Sequence, residues 1–110
     1  MYVIKAVSMI ARCNMTYMTQ ATYLTGTSPT GLAVVDVNGD NKPDIIVTNN
    51  GNSNVGVLLN VGNDTFAKQT ICSTGSKPVS LVVVDVNNDT KPDIINANSN
   101  SNTVGVLLAF

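Results

Sequence analysis

Apolar residues along this chain fall in runs of four to seven, rich in Val and Ile, and the runs are separated by Gly, Asn, Ser and Pro. That is strand-and-turn chemistry, because β-branched side chains suit a pleated, half-buried surface while Gly, Asn and Pro set up reversals. No stretch sustains an i, i+3, i+4, i+7 spacing over helical length. The pattern predicts strands near 17–22, 32–37, 45–49 and 55–60, and four more, each 49 residues later.

The second set is a copy of the first. Segment 34–46 reads VVDVNGDNKPDII and returns at 83–95 as VVDVNNDTKPDII; Gly26 falls on Gly75, Pro29 on Pro78, and the VGVLL of 55–59 on that of 104–108. Half of the aligned positions are identical, which makes this a tandem repeat. Residues 6–10 occupy the place of the VGVLL strand in a preceding unit. Four strands per period fit a propeller blade better than a flat sandwich. The expected fold is all-β: antiparallel four-stranded β-propeller blades, about two of them, plus one strand of a preceding blade, a partial propeller. Residues 1–13 are assigned to that terminal strand, 14–62 to the first repeat and 63–110 to the second. Closed propellers take about four to eight blades, so two would leave apolar faces and strand edges open. The expected partners are therefore other blades, from the same or a longer chain or from further copies.

Charge narrows the function classes. Six basic and seven acidic residues give a formal net charge of −1, so no basic field favours nucleic acid. The chain has no His, which excludes histidine-dependent catalysis and removes the commonest zinc ligand. It has no Glu either; every acid is Asp, and six of the seven stand at Asp36, Asp40, Asp44 and Asp85, Asp89, Asp93. Cys13 and Cys72 allow one disulfide that spacing does not decide. The apolar stretch over 1–11 carries Lys5 and is too short to cross a bilayer or to read as a signal peptide.

Each acidic loop has Asp at position 1, Asn at 3, Asp at 5, Lys at 7 and Asp at 9. Side chains at 1, 3 and 5 of a tight loop converge on one point, and a backbone carbonyl at 7 fills the next position. The candidate ligands are Asp36, Asn38, Asp40, the Lys42 carbonyl and Asp44, then Asp85, Asn87, Asp89, the Lys91 carbonyl and Asp93. An all-oxygen set suits Ca²⁺, about two ions per chain, which takes six to eight oxygens at roughly 2.3–2.6 Å. An EF-hand also opens D-x-N-x-D, but its Gly at position 6 is Asn41 or Thr90 here and its Glu at 12 is Val47 or Asn96. The flanks are strands besides. A turn stabilised only by Asx hydrogen bonds is the plainer alternative, yet it gives no reason to crowd three mutually repelling carboxylates.

These loops resemble those of the FG-GAP and VCBS-type repeats, the blades of integrin-α-like β-propellers. The resemblance covers nearly the whole chain, but of the Phe-Gly and Gly-Ala-Pro stretch it keeps only Gly26 with Pro29, and Gly75 with Pro78. It implies a calcium ion between two blade strands, an extracellular or cell-surface location, and a non-enzymatic scaffold for adhesion or for protein or glycan recognition. The alternative it allows is an accessory propeller of a secreted enzyme, of polysaccharide lyase or phosphodiesterase type, whose catalytic residues lie outside this chain. Asn88 replaces Gly39 at a position expected to need positive φ, where Asn substitutes best; the second site is therefore the weaker.

Smaller features receive plain readings. The sequons at Asn14, Asn63 and Asn88 mark surface asparagines if glycosylated, and a glycan at Asn88 would crowd the second loop. The Asn/Ser runs at 49–54 and 98–102 read as hairpin connections. Gly56 and Gly105 are expected to let two sheets approach closely.

Overall fold

The computed structural model describes residues 12–13 and 17–110. Its strands are β1 (Arg12–Cys13), β2 (Tyr17–Met18), β3 (Pro29–Val35), β4 (Asp44–Asn49), β5 (Asn54–Leu58), β6 (Asn60–Gly62), β7 (Thr65–Phe66), β8 (Thr70–Ser73), β9 (Pro78–Val84), β10 (Asp93–Asn98) and β11 (Thr103–Leu107). All pairings are antiparallel. A four-stranded sheet runs β3-β4-β5-β8 and a three-stranded one β9-β10-β11, while β1–β2 and β6–β7 are small hairpins. The all-β, antiparallel expectation holds, and neither sheet closes on itself.

The two sheets repeat one register. Leu32 pairs with Val47 and Val47 with Gly56 in the first; Leu81 pairs with Asn96 and Asn96 with Gly105 in the second. The outer strand corrects the expected layout. The strand expected at 17–22 is formed only as β2, which pairs with β1, and the fourth strand of the first sheet is β8. Connectivity explains this. Asn63 and Asp64, at φ 53° and 61°, build the two-residue left-handed turn of the β6–β7 hairpin. That hairpin directly follows β5 and returns the chain along β5's free edge. The segment ahead of β3 packs Tyr23 edge-on against Phe66 of that hairpin instead, ring centroids 5.6 Å apart. The preceding-blade strand expected over 1–13 is described only at β1; residues 6–10 lie outside the described residues.

The core lies between the sheets. Ile46 and Val55 are fully buried and meet Ile94, with Val35, Val57, Leu81 and Val83 packed around them. Removing each such side chain from water contributes about 1.5–3 kcal/mol. Close approach of the sheets depends on Gly31, where a Cβ would stand 3.2 Å from the Val79 carbonyl and 3.3 Å from Ser80 Cα. Thr30 Oγ1 also donates to the Pro78 carbonyl at 3.1 Å. The outward faces stay open: Leu32 is 67% exposed on one and Val104 69% on the other.

Gly56 and Gly105 do something other than expected. A Cβ at Gly56 would collide with the Gln69 carboxamide, and one at Gly105 would meet Asn96 Oδ1 at 2.8 Å. They make room for side-chain amides lying across the sheet, because Asn and Gln side chains rather than a second backbone face these positions.

Candidate metal centre

The acidic loops join β3 to β4 and β9 to β10, at one end of each sheet. Asp36 closes the first by accepting backbone N–H groups: Asn38 (3.2 Å), Gly39 (2.8 Å) and Asp40 (3.3 Å) on Oδ1, and Asn41 (2.8 Å) on Oδ2. Asp85 repeats this with Asn87 (3.3 Å) and Asp89 (3.2 Å) on Oδ1 and Thr90 (2.8 Å) on Oδ2. So tight a wrap needs left-handed backbone. Gly39 and Asn88 adopt φ 77° and 61°, as expected of that position. Asn41 and Thr90, at position 6, are left-handed too, at 63° and 67°. They take the conformation a glycine would supply, with Thr90 the costlier because it is β-branched.

Asp44 and Asp93 have another environment. Both are fully buried at the first residue of their strands. Asp44 Oδ2 accepts from Val37 N (2.9 Å) and Oδ1 from Asn60 N (2.8 Å), so one carboxylate ties the loop to the end of the adjacent hairpin. Asp93 does the same with Val86 N (2.9 Å) and Ala109 N (2.8 Å). Asp40 and Asp89 are exposed, and each accepts the N–H of the lysine two residues on, Lys42 or Lys91, at 3.0 Å.

The three carboxylates of each loop converge. In each triad, one carboxylate oxygen per residue lies within 4.8 Å of the others. For Asp36 and Asp85, desolvation pushes the carboxyl pKa up and the loop N–H donors, led by Asn41 and by Thr90, push it down by more. Both acids are thus held below the ordinary carboxylate value and stay ionised. The charge is therefore concentrated at the convergence point, where each oxygen that accepts one N–H keeps a second lone pair.

Asn87 sharpens the test of whether these residues fit a cation. One end of its amide lies 2.9 Å from Asp89 Oδ1 and 3.0 Å from Asp85 Oδ1. With nitrogen there it donates to both carboxylates; with oxygen there, three oxygens face one another and require a positive ion between them. Either orientation places position 3 against positions 1 and 5. The donor set is oxygen-rich and hard, and it fits Ca²⁺ chemically.

Sequence reasoning missed a second polar system, at the opposite ends of the same strands. Asn49 is fully buried; its Oδ1 accepts from Gly26 N (3.0 Å), and its Nδ2 donates to Asn54 Oδ1 (2.8 Å) and Gln69 Oε1 (3.3 Å). Its repeat partner Asn98 donates to Thr103 Oγ1 at 3.2 Å. The signal was present, because Gly26, Asn49 and Gln69 each stand at repeat-matched positions. The 49–54 run contains the β4–β5 hairpin turn, and it docks backward through Asn50 N to Ser28 O (3.0 Å) and Gly51 N to Thr27 O (2.9 Å).

The remaining candidates fall apart from the loops. Cys72 is a half-buried free thiol in β8, and the side chain of Cys13 lies outside the described residues. Asn63 is exposed at the β6–β7 tip and Asn88 in the second loop, while Asn14 lies outside the described residues. Among the described residues no helix is long and apolar enough to cross a membrane.

Compared with known families, residues 36–96 match the family model described as FG-GAP-like repeat, a stretch that includes both acidic loops. No curated protein and no solved structure matches the chain.

Proposed function

The chain belongs to the FG-GAP-like repeat family, and from that premise we propose that it is a calcium-binding β-propeller segment, a non-enzymatic scaffold for extracellular protein or glycan contacts. The observation that carries this reading is the convergence of three carboxylates within 4.8 Å in both loops. Asp36, Asn38, Asp40, Asp44 and the Lys42 carbonyl hold one ion; Asp85, Asn87, Asp89, Asp93 and the Lys91 carbonyl hold the other. Calcium here does no chemistry. It offsets the repulsion of three like charges and locks the loop onto its sheet.

An ion that binds only the folded chain stabilises it by about 2.7 kcal/mol when free ion is a hundredfold above Kd. That is a large share of the ~5–15 kcal/mol of a typical domain. Millimolar extracellular calcium saturates even weak sites of this kind, which supports a secreted setting. Differential scanning calorimetry tests the proposal. The melting temperature rises with calcium and not with equimolar magnesium, and Asp40→Ala with Asp89→Ala removes the response. A folded chain with the same melting temperature in calcium and in chelator refutes it.

A further inference from the structure

Two Asn-Gly pairs occur in the sequence, Asn38-Gly39 and Asn50-Gly51. Such a pair is the most labile point of a chain toward loss of an amide, because the glycine has no side chain to shield its backbone nitrogen from the asparagine beside it. The glycine nitrogen attacks Cγ of the asparagine, a cyclic imide closes, and the side-chain nitrogen leaves as ammonia together with the glycine's proton. Water then opens the ring at one carbonyl or the other, giving aspartate or isoaspartate. The sum is asparagine plus water to acid plus ammonia, with no oxidant or reductant.

The fold holds one pair and frees the other. Asn50 is half-buried in the short 3-10 turn Asn50–Asn52, and its Nδ2 donates to the Pro78 carbonyl at 3.2 Å. Gly51 N donates to the Thr27 carbonyl at 2.9 Å, and a Cβ on Gly51 would stand 2.9 Å from Thr27 Cγ2, so this pair is bonded at both reacting groups and crowded besides. Asn38 and Gly39 are exposed in the first acidic loop. Among the described residues no hydrogen bond holds the Asn38 side-chain amide, and nothing lies within 4 Å of the Gly39 Cβ position. The one restraint is the Gly39 N–H, which donates at 2.8 Å to Asp36 Oδ1. That oxygen is shared with Asn38 N and Asp40 N, and a donor in an exposed loop exchanges it for water more readily than Gly51 leaves the Thr27 carbonyl.

The second loop lacks the pair. Asn88 stands where Gly39 does, with the same left-handed backbone, φ 61° against 77°, and its side chain shields the nitrogen that would attack. The Asn87 amide is itself engaged, one end lying 2.9 Å from Asp89 Oδ1 and 3.0 Å from Asp85 Oδ1.

We infer that Asn38 is a site of spontaneous deamidation, and that of the two acidic loops only the first ages in this way. The product adds a carboxyl group beside Asp36, Asp40 and Asp44. One neutral amide becomes one anion, and the formal net charge goes from −1 to −2. As isoaspartate the product also lengthens the backbone of a loop that Asp36 wraps through the N–H groups of Asn38, Gly39, Asp40 and Asn41. None of this requires a cation in the loop, and chelator keeps one from pinning the Asn38 oxygen during the test.

The full chain is held in chelator at neutral pH, with circular dichroism to establish folding, and is followed by isoelectric focusing, peptide mass mapping and isoaspartyl methyltransferase labelling. One more acidic species is expected to accumulate, its label and its change in mass confined to the peptide that holds Asn38, while the peptides holding Asn50 and Asn87 keep their amides. Gly39→Asn, which copies the second loop, loses the acidic species. In urea the same chain converts Asn38 and Asn50 alike. Conversion of Asn50 as fast as Asn38 without urea overturns the inference, and so does a folded chain that keeps its Asn38 amide while the chain in urea loses it.

Discussion

Replacing Asp44 by Asn separates two roles that the acidic loop combines. The Asp44 carboxylate is fully buried and accepts one backbone N–H on each oxygen, from Val37 and from Asn60. An Asn of the same shape keeps one acceptor and turns an amide NH₂ toward the other donor. One buried N–H is left unsatisfied, at a cost of about 1–3 kcal/mol. Asp44→Ala strands both donors and costs about 2–6 kcal/mol on the same arithmetic. Asp40 is exposed and holds only the Lys42 N–H, and its charge adds to the repulsion within the triad, so Asp40→Asn does not lower the unfolding midpoint when no ion is present. Urea unfolding in chelator, followed by circular dichroism, measures all three. Calcium then restores nothing to Asp44→Ala, while the chain without substitutions gains stability. If Asp44→Asn matches the unsubstituted chain in chelator, or Asp40→Asn is equally damaging, the buried carboxylate is not the tie between loop and hairpin.

Other consequences follow from the same geometry. Thr90→Gly relieves a β-branched residue at φ 67° and stabilises by about 0.5–1 kcal/mol in urea unfolding, since the left-handed penalty of roughly 1–2 kcal/mol exceeds the added freedom of the unfolded chain. Gly31→Val pushes a side chain into the Val79 and Ser80 backbone and costs about 1–3 kcal/mol by overpacking, read as a lower melting temperature. Asp36 and Asp85 are held below their ordinary value of 3.8. Their contribution is present above that pH and is lost as pH falls through the lower folded-state value. NMR of the Asn41 and Thr90 amides, which donate to these carboxylates, shows shifts in that acid window and none between about pH 5 and 8.

Strand chemistry, the 49-residue period and the convergence of the acids were legible because each depends on local spacing. Alternation of Val and Ile fixes which residues can share a face, and D-x-N-x-D brings its carboxylates together within one turn. The identity of the fourth strand was not legible. It depends on the left-handed Asn63-Asp64 turn, which sends the chain back along β5, and a count of four strands per period cannot say where a sheet begins. The role of Asp44 was half visible: its spacing marked it as an oxygen donor, but its burial and its hold on Asn60 come from the hairpin that closes over it. Gly56 was misread because a glycine in a strand signals a close neighbour without saying whether that neighbour is backbone or, as here, the Gln69 amide.

Calorimetric titration of calcium into the chelator-stripped chain tests the central claim most directly. Saturable binding of about two ions per chain is expected from two five-ligand loops, with Asp40→Ala and Asp89→Ala each removing one. A chain that circular dichroism shows to be folded, and that takes up no calcium, would contradict it and leave two hairpins held by carboxylate-to-backbone hydrogen bonds alone.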